Sequence, residues 1–459
     1  MVVIKRTQEF YVRLIYKITI IRGGMVMSKK VLLFLVVAML SAIMVFSTGL
    51  AFAEQVEIRA AWWGDTGRHE LYNKIIDIFE SKNPDIKVIR EPTSWLDYWD
   101  KLTVQSAGGR APDFIGMHLQ FAADYVRRGI LEPLEPFVGE GVIDISKHSE
   151  AAISTGTMDG VLYMIPMGLT TQTMVVNNSI LEELGVEPPN FDWTWDDVKT
   201  IGLKVRGAFD EKGDKNKWFI ADSSGAYQIF RYWVRQRGQE DLYTADGNIA
   251  YTAEDAATWF TMWNDLRENN IVPDAATTTE YARATLEDNL FARQRIIITG
   301  IPVNQYKLYL NAVPGANLLL VRNPSLVDGL PGEFVEGAHF AVSAHSTPEK
   351  KLAAAKLIDF WVNDPDSIEL YRLDQGVPSN REMAEFLMTI VDEADQKIIE
   401  YVNKTSEIAR PINFPPAGAS EVNSLFEQIA EKVRFGQLTP EDGGEQLVSQ
   451  AQDILNKHK

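Results

Sequence analysis

Trp62, Trp63, Gly64 and Asp65 stand together where a strand-like run, Glu57 to Trp62, comes to its end. An indole offers a flat apolar platform to the C–H face of a pyranose, and a carboxylate accepts hydrogen bonds from a pair of hydroxyls. Neighbouring strand residues face opposite ways, so one tryptophan is expected at a cleft and the other in the core. Trp63 is the choice for the cleft; the alternative is that both pack. Arg68 and His69 open the next helix, whose free N–H groups and positive dipole end point to the same loop side. These cations invite an anionic or hydroxyl-rich ligand, unless Arg68 merely pairs with Glu70 or Asp65 at the surface.

In α/β sheets ligands sit beyond the carboxyl ends of the strands. His118 and Gln120 follow the strand-like run Asp113 to Met117 in that way, although a lone His is often a structural imidazole. Further on, Trp218, Tyr227, Arg231 and Trp233 crowd a short region. Tyr227 and Arg231 fall on one helical face and are the contact candidates, while Trp233 belongs to the core. Arg372, just ahead of Gly376, is a further candidate. No metal site or cofactor is expected. His69-Glu70 lacks the second His of a zinc-protease helix, and residues 210–217 lack the alternating oxygen ligands and terminal Glu of a calcium loop. Phosphate-binding, dinucleotide and nucleophile-elbow fingerprints are likewise missing from the sequence. An enzyme stays open as an alternative, because a secreted glycoside hydrolase or polysaccharide lyase needs only two placed carboxylates, such as Asp65 and Glu336.

Residues 1–53 read as a signal peptide. Lys29 and Lys30 precede an apolar run from Val31 to Phe46, and Ala51-Phe52-Ala53 is a small-x-small cleavage signature. The run is short for a membrane span, which needs about 20 residues. An uncleaved anchor is the alternative, and translation is expected to start at Met25 or Met27. The chain has no Cys, so no lipid anchor, disulfide or thiolate site is available. Its formal charge is −18, and the first 53 residues hold seven basic residues and one acid, which makes the mature charge −24. So acidic a body repels nucleic acid and anionic lipid.

Strand and helix signals then alternate. Leu71, Ile75, Ile76 and Phe79 have helical spacing and end at Asn83-Pro84; Ile86 to Ile89 returns as a strand; Trp95 to Ala107 is a second helix. This reads as a parallel, doubly wound α/β sheet. Later helices are expected over Trp195 to Arg206, Ala226 to Arg235, Ala253 to Asn269, Tyr281 to Ala292 and Pro348 to Val362, and over Ser420 to Phe435 and Pro440 to Asn456. With no repeat and no Pro/Ser linker, the domains are expected to be interwoven.

Several ordered segments together resemble the family-1 extracellular solute-binding proteins of carbohydrate ABC importers. They are AWWGDTGRHE (61–70), NPDIKV (83–88), YWDKLTVQSAGGRAPDF (98–114), DGVLYMIP (159–166), FDWTWDDV (191–198), GVPSNREM (376–383) and FGQLTPEDG (435–443). One departure is Val176-Asn177-Asn178, where relatives carry Tyr-Asn-Lys, so Val176 receives no ligand role. The resemblance implies two Rossmann-like lobes of periplasmic-binding-protein type, joined by three chain crossings and closing on an oligosaccharide. The crossings are expected near Pro166 to Thr173, Thr299 to Pro302 and Ser343 to Ser346, with residues 54–167 plus 299–343 in the first lobe and 168–298 plus 344–459 in the second. By the same resemblance Gln172 lies at a crossing, and Glu336 and His339 flank a Gly-rich approach to the ligand. The implied partners are the oligosaccharide and a membrane permease, for a periplasmic or extracellular monomer that is not an enzyme. If Arg68, His69, His118, Arg231 and His339 converge, the ligand would be an acidic sugar such as an oligogalacturonide.

Overall fold

A computed structural model describes residues 55–282 and 284–458; residues 56–459 form one compact unit. The expected signal peptide and cleavage site lie outside the described residues. Strand β1 (Val56–Trp63) leads to a helix, Thr66–Lys82. The Asp65 side chain caps that helix by accepting from the Arg68 N–H, and its buried residues Tyr72, Ile75, Ile76 and Phe79 form one face. Strand β2 (Ile86–Thr93) then pairs parallel with β1 along its whole length. The helix Trp95–Ala107 and strand β3 (Phe114–His118) follow, with β3 on the other side of β1.

From there the topology departs from a purely parallel sheet. After a small hairpin of β4 (Thr157–Met158) and β5 (Val161–Leu162) come β6 (Met164–Pro166), β7 (Gln172–Asn177), β8 (Trp218–Ile220), β9 (Ile296–Pro302), β10 (Leu318–Val321) and β11 (Ala338–Val342). The first sheet has the order β2-β1-β3-β11-β6 and the second β10-β7-β9-β8. β11 runs antiparallel to both β3 and β6, and β7 antiparallel to both β10 and β9, so each sheet is mixed. A strand that enters its sheet from the opposite sheet arrives from the cleft end and so runs against its neighbours. The expected helix from Tyr281 to Ala292 is replaced by a helix over Ala275–Tyr281 and a single 3-10 turn, Leu286–Asp288.

The sheet pairings also move the expected lobe boundaries. β9 and β10 pair within the second sheet, so the chain has not returned to the first sheet at residue 299. It returns through residues 322–337, into β11. The helix Pro348–Asn363, assigned to the second lobe from sequence, lies on the first: its Trp361 packs 4.9 Å from Phe340 and 6.0 Å from Phe114, ring centre to ring centre. Burial of the apolar face that holds Ala354, Leu357, Ile358 and Trp361 decides this. The chain therefore passes between the sheets at residues 167–171, 322–337 and 372–380. The first of these segments is bonded to each of the other two. Leu169 bridges Val377, with N–H to O distances of 2.6 and 2.8 Å, and Thr170 bridges Glu336, at 2.8 and 2.9 Å.

The core of the second sheet is organised on Trp195, Trp233, Trp259 and Trp263, whose rings meet at 5.4–6.0 Å. The helices that carry Trp195 and Trp259 begin with full capping boxes, Thr194 with Asp197 and Thr252 with Asp255. Among the described residues no helix is long and apolar enough to cross a membrane, and no group of His, Cys, Asp or Glu is placed to hold a metal ion.

Candidate ligand-binding cleft

A cavity of about 900 Å³ lies between the two lobes, and the crossings form its floor. Thr170 comes from the first crossing, Glu336 and Gly337 from the second, and Asp374 and Gln375 from the third. One wall carries Arg68, His118 and Phe121; the other carries Tyr227, Gln228, Arg231, Tyr243 and the loop from Ile412 to Ser420. Of the sequence candidates, Arg68, His118, Tyr227, Arg231 and Glu336 meet here.

Both arginines are already bonded. Arg68 Nε donates to Asp374 Oδ2 at 2.8 Å, and that same oxygen accepts from the buried Tyr72 hydroxyl at 3.2 Å. With its amide turned so that the oxygen faces the arginine, Gln375 accepts from Arg68 Nη1 at 2.6 Å and from Nη2 at 3.1 Å. Across the cleft, Arg231 grips Asp241 through Nε and Nη2, donates through Nη1 to Glu336 Oε1 at 2.7 Å, and lies 4.1 Å from the centre of the Phe334 ring. Asp241 also accepts from the N–H groups of Leu242 and Asn413, which ties the 412–420 loop to this network. Burial alone would push the Asp241 carboxyl up; the Arg231 charge and hydrogen bonds outweigh it and hold the group below its ordinary value. The Tyr227 hydroxyl donates to that of Tyr243 at 3.2 Å.

The other candidates go elsewhere. Trp63 is 6% exposed and Trp62 1%. β1 is an interior strand covered on both faces: Trp62 packs on Tyr72 and His69, while Trp63 packs among Trp95, Tyr98, Trp99 and His118. A strand with helices over both faces leaves neither side for a ligand. Asp65 is spent as a helix cap, and His69 lies against Trp62 instead of lining the cleft. Gln172 begins β7 with its carbonyl accepting from Tyr401, two residues along the chain from the lining residue Thr170. Arg372 is an exposed helix terminus with φ of 50°. The Gln120 side chain lies outside the described residues. His339 follows Ala338 on β11 and so points to the opposite face, into the core, where Nε2 meets Thr155 Oγ1 at 2.7 Å.

Burial pushes the His339 imidazole down to about 3, with the neighbouring His118 adding to it. The unfolded chain takes up this proton near 6.5 while the folded one does not, so this contribution is whole above 6.5 and is lost as pH falls toward 3. The slope is about 1.4 kcal/mol per pH unit. Burial also lowers His118 and His148, with the same sign. We expect urea unfolding at pH 5.5 to give a free energy about 1 kcal/mol or more below that at pH 7.5. His339→Gln should shrink the difference, and an unchanged difference in that variant would remove His339 as its source.

Several lining residues escaped the sequence reading: Gln228, Tyr243, Asn304, Asp374, Gln375, Asn413 and Phe414. Asp374 and Gln375 directly precede the GVPSNREM segment, and Asn413-Phe414-Pro415-Pro416 is a loop signal between two helices; either could have marked them. Trp95 was also passed over. It is 36% exposed and sets its ring 5.4 Å from His118 and 6.1 Å from Phe121, both of which line the cleft.

Comparison with known proteins gives this architecture a family. The model of a bacterial extracellular solute-binding protein family matches residues 74–398. The chain belongs to that family. Its members are non-catalytic binding proteins of ABC transporters, which closes the hydrolase alternative. A putative binding protein of Brucella abortus is 21% identical over 364 residues, covering 78% of this chain and 82% of that protein. Among solved structures, a family 1 extracellular solute-binding protein from Alicyclobacillus acidocaldarius has a TM-score of 0.77 at 24% identity, covering 87% of this chain and 98% of its own. A periplasmic oligogalacturonide binding protein from Yersinia enterocolitica has a TM-score of 0.76 at 22% identity, covering 88% and 100%. The two-lobed α/β periplasmic-binding-protein fold read from the sequence is therefore this chain's fold.

Proposed function

We propose that this solute-binding protein captures an oligosaccharide in the cleft and presents it to the permease of its transporter, as a monomer outside the cytoplasmic membrane, when the lobes close. The observation that supports it most is the cleft floor: all three crossings expose lining groups, so a ligand resting there touches the segments about which the lobes would turn. Ligand-driven closure needs contacts that differ between open and closed forms, and a floor shared by both lobes supplies them. The chemistry fits a sugar. Partly exposed carboxylates and amides accept and donate to hydroxyl pairs, and aromatic rings at the rim cover C–H faces. Trp95 is the ring we assign as platform, in the place first expected of Trp63. Oligosaccharide recognition by the Yersinia protein, whose fold this chain shares, is consistent with the reading.

Calorimetric titration with a panel of oligosaccharides tests it. We expect one-to-one binding without turnover, and Trp95→Ala should weaken it by about 1 kcal/mol or more while leaving the protein folded. A folded protein that binds no member of the panel would overturn the sugar reading, and unchanged affinity in the variant would assign the platform elsewhere.

A further inference from the structure

Each cleft arginine comes from a lobe wall, and each is bonded to a carboxylate that comes from a crossing. Arg68, on the helix Thr66–Lys82, holds Asp374 of the third crossing; Arg231, on the helix Tyr227–Gln236, holds Glu336 of the second. These two carboxylates are reachable: their side chains are 20% and 29% exposed, whereas Asp241 behind Arg231 is 2% exposed. The cleft as a whole sets two arginines against four carboxylates, Asp241, Glu336, Asp374 and Glu427. His69 and His339, two of the cations that would have suited an acidic sugar, do not line it.

A uronate entering this cleft meets a carboxylate at each guanidinium it needs. Whether it displaces Asp374 or Glu336 or takes a remaining guanidinium N–H, a uronate that bonds Arg68 or Arg231 comes to lie beside that carboxylate as a like charge in a partly desolvated site. A neutral ring faces no such conflict. Its hydroxyls donate to the outer lone pairs of Asp374 and Glu336 and accept from whatever guanidinium N–H remains, leaving both ion pairs intact. We infer that Asp374 and Glu336 are the specificity-determining residues of the cleft, that they reserve it for uncharged sugars, and that neutralising them opens it to uronates. This rests on the sugar-binding reading above. It separates the chain from the oligogalacturonide binding protein with which it shares a fold.

The test is titration of the wild-type protein, Glu336→Gln, Asp374→Asn and the double variant with digalacturonic acid and with uncharged disaccharides and trisaccharides of glucose, galactose and arabinose, at low and high salt. The substitutions are isosteric, and thermal unfolding checks that each variant is folded. Because Asp374 also accepts from Tyr72, Glu336→Gln is the variant that keeps the test decisive should Asp374→Asn lose stability. We expect the wild-type protein to bind an uncharged sugar and to bind digalacturonic acid at least about 100-fold more weakly, which is one tenfold step for each opposing carboxylate. Each single substitution should raise digalacturonic acid affinity about tenfold and lower that of the uncharged sugar, with the gain fading at high salt. Tight binding of digalacturonic acid by the wild-type protein, or no gain in any folded variant, would overturn the inference while leaving the sugar reading standing. Failure to bind either class would instead overturn the sugar reading, and this inference with it.

Discussion

Arg231→Met should lower the unfolding free energy by about 3–5 kcal/mol and abolish ligand binding. The arginine side chain is 9% exposed and its partner Asp241 2%, so the substitution leaves a carboxylate out of water without its main counter-charge. The remaining partners are two backbone N–H groups and Arg235 at 3.7 Å, which keep the cost toward the lower end of that range. Loss of the guanidinium stacked on Phe334 adds to the damage, and release of Glu336 loosens the second crossing. Urea unfolding measures the first effect and calorimetry the second. A second substitution, Asp241→Leu, should restore much of the stability but not the binding, since an unpaired buried charge costs far more than a pair removed together. A single Arg231→Met protein as stable as the wild type would show that the pair contributes nothing to the fold.

Gly337→Ala should cost about 3 kcal/mol or more and block lobe closure. A Cβ at position 337 would lie 2.0 Å from the Gly168 carbonyl oxygen, a contact with backbone that no rotamer change relieves. The three crossings touch through glycine in this way at more than one point: a Cβ on Gly376, whose φ is already 117°, would lie 2.4 Å from the Leu169 carbonyl oxygen. Separating the first and second crossings by the width of a methyl group breaks the Thr170–Glu336 bridge and shifts Glu336 away from Arg231. In solution scattering, saturating ligand should shrink the radius of gyration of the wild-type protein and leave that of Gly337→Ala unchanged. Equal stability and equal shrinkage in the variant would show that the crossings do not need this contact.

What could be read without coordinates was whatever repeats with a local period. The helix begun by Asp65 and ended at Asn83 was legible because its apolar residues recur at helical spacing between recognisable caps, and the same holds for Trp95–Ala107 and the two C-terminal helices. The helix expected from Tyr281 to Ala292 is interrupted because Asn289 has extended backbone and its side chain, accepting from the Ala292 N–H, caps a new turn instead of continuing an old one. The ordered motifs, through their resemblance to a known family, carried the family and the two-lobed plan.

Alternation along a strand says that Trp62 and Trp63 point apart and that Ala338 and His339 do. It does not say which side is cleft and which is core, because that depends on what the rest of the chain lays over each face. The same limit hid the site's electrostatics. Arg68 is 306 residues from Asp374 and Arg231 is 105 from Glu336, and no local pattern links positions so far apart. The sequence by itself determined many of the elements and their order, the family and a pool of polar side chains near strand ends, since these follow from neighbours along the chain. The tertiary structure decided strand direction, lobe membership, the burial of both Trp62 and Trp63, and the pairing of both cleft arginines, since those follow from burial and charge between segments that meet only on folding.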